Sequence, residues 1–317
     1  MNRLCIFAHY DKHNIVDDYV VEYIKGLATV SKQIIFVSSC EISYAEVDKV
    51  SQYCTAVLQK ANEGYDFGSW KFGMEYVGFE NLPNFDEVIL ANDSCFGPIF
   101  PFSEMFDKMA TKKWDAWSVT IGDGICQYLQ SYFLVCRPKL LKSQQFIDFF
   151  KSITNLANKM EYIVKYEVGF SKMLKNNNFI FDSYYQSAKK NIDNSNNNIL
   201  FAIRVLLSKI FFTIKNFFKP TAIGRPNLFK KIAVFIKMII YKKLNYNINP
   251  SVFAVQLLIE DRVPLIKKML FDKNSLTQNM SQLTVKQVLD QNVEHLIKEN
   301  SDYNFDIIQK YNDRVLK

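Results

Sequence analysis

Between residues 4 and 59 the chain alternates two periodicities, and that alternation leaves few architectures open. Residues 4–9, 33–38 and 56–59 are short apolar runs that read as strands, whereas 16–27 and 44–53 repeat at helical spacing. Strands joined through helices imply β-α-β crossovers, and therefore a mostly parallel sheet flanked by helices. The expected fold class is α/β. In such sheets ligands gather at the carboxyl ends of the strands. Four polar clusters fall there: His9-Tyr10-Asp11, Ser38-Ser39, residues 62–66 and Asn92-Asp93-Ser94.

Two of these clusters carry the chemistry. Residues 88–91 form an apolar run that ends abruptly in Asn92-Asp93-Ser94, as a buried strand does when it delivers a carboxylate into a crevice. The run Asn62-Glu63-Gly64-Tyr65-Asp66-Phe67-Gly68-Ser69-Trp70-Lys71 precedes it. Gly64 and Gly68 let backbone turn and approach a ligand, and Asp66 between them can accept hydrogen bonds from a ribose or a base. With Asp66 at an N-cap and Phe67 opening a helix, Lys71 lies one turn on, aimed at phosphate. Together these residues read as a site for a nucleoside diphosphate-sugar, whose pyrophosphate needs cationic donors or a divalent cation. Asp93 is the candidate ligand for that cation, Mg or Mn, with Asn92 and Ser94 orienting it. The plainer alternatives are a helix cap at Asp66 and an ordinary turn at 92–94. Among the remaining donor-side candidates, Tyr10 can stack on a base and His9 can bond phosphate, or His9 can simply end a strand.

At these residues the chain resembles the rhamnan synthesis protein F family of bacterial polysaccharide glycosyltransferases. The motifs that carry the resemblance are Gly64-Tyr65-Asp66-Phe67-Gly68, Leu90-Ala91-Asn92-Asp93-Ser94-Cys95-Phe96-Gly97-Pro98 and Gln130-Ser131-Tyr132-Phe133. Phe7-Ala8-His9-Tyr10-Asp11, Tyr166-Glu167-Val168-Gly169-Phe170-Ser171, Asn249-Pro250 and Val263-Pro264-Leu265-Ile266-Lys267 agree with it. Tyr128 departs from the pattern, standing where a histidine is expected. The resemblance implies a GT-A-like fold and an inverting glycosyltransferase that moves a sugar, rhamnose from dTDP-rhamnose, onto a cell-surface polysaccharide or a lipid-linked glycan. The rival is a non-catalytic glycan- or nucleotide-binding protein that keeps the fold.

Residues 115–119 and 128–136 read as further strands around the turn-forming Gly122-Asp123-Gly124. Gln130 and Ser131 would enter the site from the second of them, as partners for sugar hydroxyls of donor or acceptor, or else pack within the strand. An inverting transfer also needs a base for the acceptor hydroxyl. Glu167, in the helical segment 161–174 and at a motif position, is the candidate, the alternative being a surface charge paired with Lys165 or Lys172.

Organisation beyond the site follows from composition. At 49% hydrophobic over 317 residues, the chain can bury a large core, which excludes a disordered protein. The six cysteines, at 5, 40, 54, 95, 126 and 136, make no Cys-x-x-Cys pair and read as reduced thiols. The start shows no signal-peptide pattern, so a cytoplasmic location is expected. Residues 186–250 hold twelve Lys or Arg against one acid, Asp193, leaving −4 for the rest of a chain whose total is +7. Within this block, Arg204, Ser208, Lys215 and Lys219 cluster opposite Ile203, Leu207, Ile210, Ile214 and Phe217 on a helical wheel. An amphipathic helix lying on the inner face of the cell membrane is expected, against the alternative of a helical hairpin packed on the sheet. No recognised motif supports nucleic acid as a partner. The division expected is a catalytic domain over 1–185, a basic helical insertion over 186–248, and a helical region over 249–317 that packs on the catalytic domain. In that last region Val285, Leu289, Val293 and Leu296 recur at helical spacing.

Overall fold

A computed structural model describes residues 1–123, 127–185, 251, 255–271 and 293–315. Gly124, the whole basic block 186–250, Val285 and Leu289 lie outside the described residues. The first strands and helices are β1 (Arg3–His9), α1 (Asp18–Ala28), β2 (Gln33–Ser38), α2 (Tyr44–Ser51), β3 (Ala56–Gln59) and α3 (Tyr65–Val77). They are followed by β4 (Glu87–Asn92), β5 (Cys95–Phe96), α4 (Phe102–Ala110), β6 (Ala116–Ser118), β7 (Ile121–Asp123), β8 (Gln127–Leu129) and β9 (Phe133–Cys136). Short helices α5 (Pro138–Leu141), α6 (Gln144–Lys151) and α7 (Lys159–Tyr162) lead through a π-helical turn (Ile163–Glu167) into α8 (Val168–Asn176) and β10 (Phe181–Ser183). The described end of the chain adds α9 (Val255–Glu260), β11 (Ile266–Lys267), α10 (Val293–Asn300) and α11 (Asp306–Val315).

Seven strands form one sheet in the order β10-β6-β9-β4-β1-β2-β3. All neighbours are parallel except at β9, which runs against both β4 and β6. The protein is therefore an α/β fold with a mostly parallel sheet. The central strands are buried on both faces, and successive residues feed two separate cores. Cys5, Phe7, Phe36, Ile89 and Ala91 face α1, α4 and the C-terminal elements, while Leu4, Ile6, Ile35, Val88 and Leu90 face α3, α6 and α8. Each such Leu or Ile contributes about 1.5–3 kcal/mol by leaving water.

At the opposite end of the strands from the site, Glu87 is almost wholly buried between two guanidinium groups, Arg3 Nε at 2.7 Å and Arg137 Nε at 2.9 Å. Arg137 also donates to the carbonyls of Trp114 and Met109, so one side chain ties β9 to the segment after α4.

Two expectations need correction. The run 128–136 is not one strand but two, β8 and β9, interrupted at Gln130–Tyr132. Here the Ser131 N–H is taken by Glu167 instead of a neighbouring strand, and Gly122-Asp123 is part of the β7–β8 ladder and not of the turn. Helix α3 also starts at Tyr65, not Phe67. Gly64 is its N-cap at φ +81°, a left-handed backbone that glycine adopts at little cost, so Asp66 lies inside the first turn and is not the cap.

Candidate functional site

β4 ends at Asn92, and Asp93 and Ser94 turn across the carboxyl edge of the sheet. Asn92 is the centre of the arrangement. Its Nδ2 donates to Asp66 Oδ2 at 2.7 Å, and its Oδ1 accepts from the Ser94 amide at 3.1 Å and the Ser94 hydroxyl at 2.6 Å. An asparagine suits the position because its amide offers donors on one side and an acceptor on the other. Two segments distant in sequence are thus joined through one side chain. Burial first, and the neighbouring Asp93 charge second, raise the Asp66 carboxyl to about 6, against the opposing pull of Lys267 and the Asn92 hydrogen bond.

Asp93 is held from several sides. Its Oδ2 faces the Tyr10 amide at 3.4 Å, the Tyr19 hydroxyl at 3.5 Å and Lys268 Nζ at 3.7 Å. Tyr19 also donates to the Asp93 carbonyl at 3.2 Å and accepts from Lys268. Burial, reinforced by the Asp93 charge, pushes the Tyr19 hydroxyl well above its usual range, so it remains a donor at neutral pH. Beside it, Lys267 Nζ donates to Ser94 Oγ at 3.1 Å and lies 4.2 Å from the centre of the Tyr132 ring. Both lysines reach the site because β11 pairs with β5 immediately after Ser94, placing Lys267 opposite Cys95.

The remaining candidates are distributed as follows. Gly68 stands where an added Cβ would lie 2.4 Å from the Glu63 carbonyl, so the loop 62–68 closes only around a bare α-carbon. Asn62 is exposed at the start of that loop, and the Tyr10 ring is half-exposed beyond β1. His9 is buried, with Nδ1 3.2 Å from Ser38 Oγ and its ring against Phe36. Burial lowers its pKa, outweighing the pull of Asp93 and Asp11, and keeps the imidazole neutral. Lys71 donates its ammonium to the carbonyls of Lys151 and Ile153 at the end of α6, where the helix dipole favours a cation, rather than holding it out for phosphate.

Because β9 is antiparallel to β4, with Phe133 opposite Ala91, the residues preceding it approach the same carboxyl edge as Asp93. Ser131 donates there from both its amide, at 2.8 Å, and its hydroxyl, at 3.0 Å, to Glu167 Oε1. Glu167 is thus taken up by Ser131, while Lys165 Nζ lies 5.3 Å from the centre of the Tyr166 ring. Gln130 is buried and accepts from the Thr120 hydroxyl at 2.7 Å, which makes it part of the wall.

Sequence patterns pointed to neither Tyr19, Lys268 nor Arg314. Arg314 bridges Asp11 and Asp17 at 2.7 Å each. Their partners lie between 74 and 303 residues away, and no local spacing signals such pairings. Lys267 stood within a recognisable stretch but without an assigned role.

A divalent cation at Asp93 would face the Lys268 ammonium. Among the described residues no group of three His, Cys, Asp or Glu side chains comes together to hold a metal ion. The donor set therefore does not fit a resident ion held by protein ligands alone. Among the described residues no helix is long and apolar enough to cross a membrane.

The family model described as rhamnan synthesis protein F matches residues 34–249. The chain belongs to that family. The match includes the Asp66 loop, the Asn92-Asp93-Ser94 turn, and the Ser131–Glu167 pair, whereas Lys267 and Lys268 lie beyond its end. Among curated relatives, the Sinorhizobium fredii protein y4gN is 21% identical over 186 residues, 57% of this chain and 48% of that one. Virulence protein VirA of Vibrio anguillarum is 30% identical over 80 residues, 25% of each chain. The chain thus spans about half or less of the curated relatives it matches. Solved structures with partial overlap include S. aureus TarS 1-349, with 15% identity, 45% of this chain, 48% of that one and a TM-score of 0.32. Glucosyl-3-phosphoglycerate synthase of Mycobacterium tuberculosis, in complex with Mn2+, UDP and glucosyl-3-phosphoglycerate, overlaps at 8% identity, 55% of this chain and 79% of that one, with a TM-score of 0.33. The fold class stands on the sheet order itself.

Proposed function

We propose that the chain is a glycosyltransferase that takes a sugar, rhamnose by the family's description, from a nucleoside diphosphate donor and adds it to a glycan or lipid-linked acceptor. The observation that carries this reading is the Asp66–Asn92–Asp93 junction, where loops following two parallel strands meet at the edge that binds ligands in α/β sheets. The family membership narrows the chemistry to polysaccharide synthesis.

In this reading the donor lies across the junction. Asp66 accepts from the nucleoside, and the Asp93–Ser94 turn faces the diphosphate. Glu167, fixed by its two bonds from Ser131, takes the proton of the acceptor hydroxyl as that oxygen attacks the anomeric carbon. The anomeric bond to the diphosphate breaks as the new glycosidic bond forms, inverting the carbon. The amphipathic basic block, outside the described residues, would hold the enzyme at the cytoplasmic face of the membrane, close to a lipid-linked acceptor.

The test is turnover with a panel of nucleotide-sugars by wild type and Asp93→Ala. Sugar transfer or donor hydrolysis by wild type, reduced at least about 100-fold in the variant, is the expected result. Nucleotide-sugar binding without turnover in the presence of acceptor glycans would favour the non-catalytic binding protein.

A further inference from the structure

Two cations come to the Asp93-Ser94 turn, one closing the Val263–Lys267 stretch and the other directly after it. Lys267 and Lys268 are consecutive, yet both ammonium groups come to the Asp93-Ser94 turn, one at the Ser94 hydroxyl and the other at the Asp93 carboxylate. Consecutive residues of a strand point to opposite faces. Here β11 ends at Lys267 and a 3-10 turn begins at Lys268, so the alternation is broken where both side chains are needed on one side. The Lys268 amide bonds the Ser94 carbonyl at 3.0 Å, which locks this backbone onto the turn.

Neither ammonium group has a carboxylate to itself. Of the other acids nearby, Asp11 and Asp17 are both taken by Arg314, and Asp66, which feels the Lys267 charge, bonds Asn92 and makes no ion pair with either lysine among the described residues. Lys268 Nζ, 3.7 Å from Asp93 Oδ2, shares that oxygen with one hydroxyl donor, Tyr19, and one amide donor, Tyr10. The contacts of Lys267 among the described residues are a hydroxyl and a ring face, and both lysines are partly buried. Holding cations so placed, against the faces of Tyr132, Tyr19 and Tyr311, makes sense where an incoming anion completes the coordination.

We infer that Lys267 and Lys268 bind the diphosphate of the donor and neutralise it through their ammonium groups in place of a divalent cation. The inference rests on the nucleotide-sugar reading above and assigns it two residues from the far end of the chain. As the sugar leaves, the negative charge gathering on the diphosphate would develop against these two groups.

The experiment is calorimetric titration of the full chain with UDP, GDP, CDP and dTDP, in EDTA and again in Mg2+. Wild type, Lys267→Met, Lys267→Arg and Lys268→Met are compared. The expected result is that one diphosphate binds wild type within threefold in the two buffers. Its affinity falls at least 10-fold in either methionine variant and recovers to within threefold in Lys267→Arg, while the affinity of the parent nucleoside stays unchanged throughout. Binding that requires Mg2+ and is indifferent to both methionine substitutions would overturn the inference and leave the nucleotide-sugar reading intact. No binding of any diphosphate in either buffer would overturn both.

Discussion

Asp66 has a carboxyl whose ionisation works against folding. Its pKa is raised to about 6 by burial and by Asp93, so between about pH 4 and 6 the folded protein keeps a proton that the unfolded chain has released. Stability from this group is therefore present in acid and is lost as pH rises through 6. Asp66→Asn, which stays neutral, should remove that slope, making the variant more stable than wild type at pH 7 by on the order of 2 kcal/mol, measured by urea denaturation across pH 4–8. Nucleotide affinity should fall in the same variant, since a carboxylate retained at such a cost is explained by a ligand that needs it. Glu167→Gln preserves the shape and the Ser131 bonds but cannot take a proton, so turnover should drop about 100- to 10,000-fold with donor affinity little changed. Asn92 and Asp93 were legible because they stand at the end of a strongly patterned strand, and Asp66 because Gly64 and Gly68 flank it. Lys268 and Tyr19 were not, since what brings them to Asp93 is the packing of a distant strand and a helix face.

The loop between β3 and α3 shows what local signals convey at the scale of an element. The glycines announced a tight turn, and a turn is there, but the sequence signal placed the helix start two residues late because an aspartate is a commoner cap than a left-handed glycine. The displacement matters, since it moves Asp66 from a capping role to one facing Asn92. Gly68→Ala should cost about 1–3 kcal/mol in thermal or urea unfolding, because its methyl group would meet the Glu63 backbone carbonyl and not a side chain that can swing aside. Loss of nucleotide affinity should accompany it, as the loop opens. The split between β8 and β9 was hidden for a related reason. Residues 128–136 are β-rich enough to read as one strand, and the interruption falls where Glu167, on another element, takes the Ser131 amide.

Across the whole molecule, the described C-terminal elements join the core and bring side chains to the Asp93 site together. Leu258, Val263, Ile266, Ile297 and Ile308 are buried in the same cluster as Phe7 and Ile89, and α11 carries Arg314 to Asp11 and Asp17. Burial pushes the Asp11 carboxyl up, but the Arg314 hydrogen bond, the His13 amide and the Arg314 charge outweigh it, and the net shift is downward. The stability it contributes is thus full above its ordinary pKa, near 4, and is lost as pH falls through the lowered one. Arg314→Ala should cost about 2–4 kcal/mol at pH 7, because it strands two poorly hydrated carboxylates, and the gap to wild type should shrink in acid. Urea titrations at pH 7 and pH 3 measure both. The pairing of β5 with β11 also sets an order of events during synthesis. A growing chain possesses Asp66, Asn92 and Asp93 some 170 residues before Lys267 exists, so until that segment is made the two carboxylates lack the ammonium groups that β11 brings to them.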